Sequence, residues 1–75
     1  MKHWEKVLRR ASQIDQKMVL GVLAKLKRGQ FPPDTIKLKG TEQYRTRVGN
    51  WRIIFHYDNE HFALEDIERR NGHNY

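Results

Sequence analysis

Three arginines in one short stretch, Arg45, Arg47 and Arg52, are the residues of this chain best equipped to do chemistry. A guanidinium fork suits two-pronged contact with phosphate and stays charged at any working pH. These side chains can clamp an anion or stabilise developing negative charge, but a proton acceptor must come from elsewhere. His3, His56, His61 and His73 are scattered, and no cysteine or paired carboxylate joins them at metal-ligand spacing. No glycine-rich phosphate loop is present, and Ser12, the only serine, stands in no nucleophile motif. His73 and Tyr75 in the tail are the nearest candidates in sequence for proton transfer. A C-terminal tyrosine is, as a class, more often a packing residue than a catalyst. No metal or cofactor is expected.

The stretch that must position the arginines is Tyr44 to Tyr57, YRTRVGNWRIIFHY. It reads as two alternating strands joined at Gly49-Asn50, because a tight two-residue loop needs a residue that accepts positive φ. That loop sets Val48 opposite Trp51, Arg47 opposite Arg52, Thr46 opposite Ile53 and Tyr44 opposite Phe55. Side chains alternate between faces. One face therefore carries Tyr44, Thr46, Val48, Trp51, Ile53, Phe55 and Tyr57, and is a core. The other carries Arg45, Arg47, Arg52, Ile54 and His56, with His56 the one possible base among them. Like charges directly opposite in a sheet destabilise it, so the Arg47–Arg52 pair needs a reason. Either both side chains splay into water, or they await an anion. Alternation alone puts the solvated reading slightly ahead.

The remaining elements follow from periodicity. Trp4, Val7, Leu8 and Ala11 keep one helical stripe over residues 2–12. Asp15 is expected to cap a second helix, with Ile14 and Val19 as a hydrophobic staple. Val19, Val22, Leu23 and Leu26 form its stripe, and Gly29 stops it. Phe31-Pro32-Pro33 cannot continue a helix. A turn at Asp58–His61 leads to a third strand from Phe62 to Arg69. If Tyr57 faces Phe62, then Phe62 and Leu64 join the core and Arg69 joins the arginine face. The assembled expectation is one α+β domain over residues 1–75, a helical hairpin packed on one face of a small antiparallel sheet.

Charge points to a partner. The net charge is +6, but residues 1–52 hold thirteen Lys and Arg against four acids, while residues 53–75 hold two against five. So basic a front suggests a polyanion: RNA, DNA or an acidic protein. No apolar run approaches membrane-spanning length and the N-terminus lacks the apolar core of a signal peptide, so the cytoplasm is the expected location.

Lys37-Leu38-Lys39-Gly40, the run from Tyr44 to Phe55 and the Arg69-Arg70…Tyr75 ending together resemble the RelE/ParE toxins of bacterial toxin–antitoxin pairs. The resemblance covers nearly the whole chain, the helical hairpin included. It implies a compact sheet carrying a helical hairpin. For the RelE-like branch it implies a ribosome-dependent mRNA endonuclease, in which a ribose 2′-OH attacks the adjacent phosphate. Arg52 matches the arginine that stabilises phosphate charge. Arg45 and Arg47 match positions that hold lysines in the best-known nuclease pattern. Arg69 or Arg70 matches the last-strand arginine, and Tyr75 the terminal tyrosine, with His73 beside it. Lys37 and Lys39 join the RNA-binding set with Arg45, Arg47 and Arg70. The implied partners are the ribosome, mRNA and an acidic, partly helical antitoxin in a hetero-oligomer. Two departures stand out. Arginine at 45 and 47 removes any lysine base, and no strand is read before the first helix where the family usually has one. The alternatives are a ParE-like, non-enzymatic inhibitor of DNA gyrase, or an inactive relative that still binds antitoxin.

Overall fold

The computed structural model of the chain describes residues 2–69. It has two helices, α1 (His3–Arg9) and α2 (Gln13–Lys27), then four strands, β1 (Ile36–Lys37), β2 (Tyr44–Val48), β3 (Trp51–Asp58) and β4 (His61–Arg69). The strands form one antiparallel sheet in the order β1-β2-β3-β4. This is the α+β architecture that the residue pattern predicts.

The helices are bounded by local chemistry. The expected cap of the second helix is corrected by three residues: Ser12 is the N-cap, and its hydroxyl accepts the Asp15 N–H at 3.1 Å. Asp15 lies inside the first turn instead, where its carboxylate meets the positive end of the helix. Ile14 is therefore not a staple and stands 73% exposed. The first helix is also shorter than its apolar stripe, because the chain must turn before Ser12 can cap the next. The Gln16 side chain ties this turn down by donating to the Ala11 carbonyl at 2.9 Å. At the other end the expected stop holds. Gly29 has φ 78°, and the Gln30 N–H reaches back to the Lys25 carbonyl at 2.9 Å.

The central hairpin has the expected register throughout, with Val48 opposite Trp51, Arg47 opposite Arg52, and Tyr44 opposite Phe55. Gly49 supplies the positive φ, 57°, that the turn requires. The helices cover the face that carries Trp51, Ile53, Phe55, Val48 and Thr46, all buried, and add Leu8, Val19, Leu23 and Leu26 to the same core. Phe31 of the proline-rich loop closes one end. Its ring stacks on Tyr57 at 5.9 Å and meets Tyr44 at 5.4 Å.

Tyr57 fastens that end of the sheet to the helices, its hydroxyl donating to the Leu26 carbonyl at 2.6 Å. Burial, with Tyr44 close by, raises its pKa above the ordinary 10.0. The folded state thus keeps this proton after the unfolded chain has begun to lose it. The stabilisation is complete below the ordinary tyrosine value and is lost as pH climbs through the raised one. Tyr57→Phe should cost about 1 kcal/mol at neutral pH through the lost hydrogen bond. In urea unfolding, the gap between the two proteins should then narrow once pH exceeds about 10.

Candidate functional site

The arginines lie on the sheet face opposite the helices, and among the described residues no element packs over it. Arg45 sits on β2 opposite Ile54 of β3 and Ile36 of β1, and Arg47 sits opposite Arg52. Arg45 is half-buried, and its Nε is enclosed without a hydrogen-bond partner among the described residues. Arg47 is exposed.

Strand β4 brings acids to the same face. Glu68 is directly opposite Arg52, and the Arg52 Nε donates to Glu68 Oε1 at 2.9 Å. Both side chains are more than a third exposed, so the pair is worth at most about 1 kcal/mol. Its main effect is to relieve the Arg47–Arg52 repulsion and to fix where the Arg52 guanidinium points. Asp66 faces Ile54, and its Oδ1 accepts the Ile67 N–H at 2.8 Å.

A β-bulge between Ile54 and Phe55 organises the far end. Ile54 pairs with Asp66 and Phe55 with Leu64, so Glu65 has no partner across the ladder. The extra residue bends the strand and re-aims a side chain. Glu65 here reaches His56, with 2.5 Å between Oε2 and Nδ1, a close approach that is not aligned as a hydrogen bond.

The same bulge corrects the expected place of Arg69. It shifts the alternation by one residue, so Ile67 enters the core and Arg69 follows it to the helix side. Arg69 lies opposite Trp51 with its guanidinium 5.7 Å from the indole centroid, a cation–π contact rather than part of the arginine face. Lys37 and Lys39 are not gathered there either. Lys37 pairs with Tyr44 in the ladder, placing it on the opposite face from Arg45, and its ammonium lies 3.5 Å from Glu42. With Lys39 it lines an open depression of about 600 Å³ at the β1–β2 turn. Arg70, His73 and Tyr75 lie outside the described residues. The structure thus brings Arg45, Arg47, Arg52 and His56 together on one face, and adds Glu65, Asp66 and Glu68, three acids that the sequence reading did not place. One signal could have found them. After Phe62 and Leu64 the next apolar residue is Ile67, three positions on rather than two, which is the mark of a bulge.

The described residues hold no His, Asp or Glu cluster able to bind a metal ion, and no helix is long and apolar enough to cross a membrane. No family model, curated protein or solved structure matches the chain. What the fold and site define is a class: a small α+β domain presenting a charge-laced arginine face.

Proposed function

We propose that the chain is a RelE/ParE-type toxin of the nuclease branch, an endoribonuclease that cleaves mRNA at the ribosome and so stops translation. The carrying observation is the gathering of Arg45, Arg47 and Arg52 on the sheet face left open by the helices. The motif resemblance supplies the reaction, attack of a ribose 2′-OH on the adjacent phosphate. Arginines suit such a reaction because preorganised donors stabilise the negative charge that builds on the phosphate oxygens. The basic surface also fits an acidic antitoxin segment that folds as it binds.

Phosphate must compete with Glu68 for Arg52, which makes the face selective for ligands that bring several negative charges. Arg52→Ala should weaken mRNA binding and lower cleavage on programmed ribosomes roughly tenfold at subsaturating mRNA, as expected for one charge-assisted contact. The slope of log affinity against log salt should shrink by about 0.7 for that phosphate. Purified protein that leaves ribosome-bound mRNA intact would sink the nuclease reading. Inhibition of gyrase supercoiling in its place would assign the chain to the ParE-like branch.

A further inference from the structure

The proton-transfer candidates that the sequence points to, His73 and Tyr75, lie outside the described residues, but the arginine face carries a histidine of its own. His56 lies on that face and is half-buried, its side chain 29% exposed. Glu65 stands at its Nδ1. A carboxylate this close needs only a small rotation to accept a proton-bearing Nδ1, and that tautomer leaves the Nε2 lone pair available to accept a proton. The bulge leaves Glu65 without a cross-strand partner, and its carboxylate turns to His56 rather than lying opposite Ile54. Bulges that re-aim a side chain are over-represented beside active sites.

The register also fixes which arginine can share a phosphate with His56. Arg52 is four residues away on the same strand, about 13 Å at strand rise. Arg45 is opposite Ile54, midway between them, and is a diagonal neighbour of His56 about 7–8 Å away. Its enclosed Nε still lacks a hydrogen-bond partner among the described residues. A phosphate can therefore be gripped between Arg45 and His56, while Arg52 serves the next one along the strand.

We propose, resting on the nuclease reading, that His56 is the general base, that Glu65 is its positioning residue, and that the scissile phosphate lies at Arg45 rather than Arg52. The 2′-OH gives its proton to His56 Nε2 as its oxygen bonds to phosphorus. The bond from phosphorus to the 5′ oxygen breaks, leaving a 2′,3′-cyclic phosphate on one fragment. The departing 5′ oxygen takes a proton from water, and the imidazolium returns its own to the hydroxide so formed. No oxidant, metal or net acid is consumed.

The test is single-turnover cleavage of a defined mRNA on programmed ribosomes by wild type, His56→Gln, His56→Ala and Glu65→Gln, with folding of each followed by circular dichroism. His56→Gln should lower kcat roughly 10²–10⁴-fold, the usual contribution of a general base, with KM within threefold of wild type. Added imidazole should restore His56→Ala at least tenfold, an effect that a merely structural histidine would not give. Glu65→Gln should lower kcat roughly tenfold, again with KM held. Wild-type cleavage with His56→Gln within threefold of it overturns this inference and leaves the nuclease reading standing. Should that variant not fold, an unchanged kcat in Glu65→Gln overturns it instead. Wild type inert on ribosomes overturns both.

Discussion

Trp51→Ala is expected to strip the domain of a large part of its folding stability. Trp51 is fully buried, begins β3 beside the hairpin turn, and is the largest side chain of the core. It faces Val48 across one ladder and Arg69 across the other, so it joins all three long strands. Truncating such a residue costs about 3–5 kcal/mol in lost transfer energy and unfilled cavity. A chain of 75 residues has only about 4–11 kcal/mol of stability in total. With a urea dependence near 1 kcal/mol per molar, the midpoint should fall by about 3 M or more, which removes the transition from view at the lower end of that range. Trp51→Phe separates volume from polarity. The indole N–H is buried without a hydrogen-bond partner among the described residues, so deleting it relieves a cost while the smaller ring loses some packing. A net loss of about 1–2 kcal/mol is expected, with the transition retained. Equal effects from the two substitutions would show that the ring's bulk is not what holds the strands together.

The central hairpin was legible because its information is local. Gly49 fixes the turn, and strict alternation on both sides fixes the register, so each cross-strand pair from Tyr44–Phe55 to Val48–Trp51 could be written from sequence. The helices were legible as stripes, but their boundaries depended on a competition between two good caps. Ser12 wins over Asp15, and placing the start three residues earlier keeps Asp15 inside the first turn, where its charge is useful. The arginine face was legible as a set of positions and misleading as a field of charge. Seen along β2 and β3 it is purely basic, apart from Ile54 and His56. The acids that temper it arrive from β4, sixteen residues beyond Arg52 in the case of Glu68, and long-range pairing of that kind leaves no periodic trace.

The charge asymmetry of the chain takes on a structural meaning from this. The acidic C-terminal third does not form a separate acidic surface. Strand β4 threads Asp66 and Glu68 alongside the arginines, and Arg52 is held at rest by one of them. Arg45, opposite Ile54 and Ile36, has no such carboxylate across from it. Partial compensation of this kind weakens attraction to a single anion while leaving that arginine well placed for a ligand that fits.

Ile67→Asp should unfold the domain, while Asp66→Ile, one residue away, should leave it folded. The contrast follows from the bulge. A regular β4 continuing the alternation of Phe62 and Leu64 would turn residue 66 inward and residue 67 outward, and would bury Asp66 and Glu68 against the helices. With Glu65 unpaired the order reverses, and Ile67 is 1% exposed among Trp51, Ile53 and Leu8. An aspartate there forfeits the isoleucine burial, about 2–5 kcal/mol, and must also lose water around a carboxylate that has no partner. Asp66→Ile gives up one hydrogen bond to the Ile67 N–H, about 1 kcal/mol, on the open face. Urea unfolding of the two variants beside wild type reads the difference directly. The reverse ranking would mean a regular β4. It would then return Arg69 to the arginine face and take Asp66 and Glu68 off it, parting Glu68 from Arg52, so this stability measurement bears on the candidate site without any assay of activity.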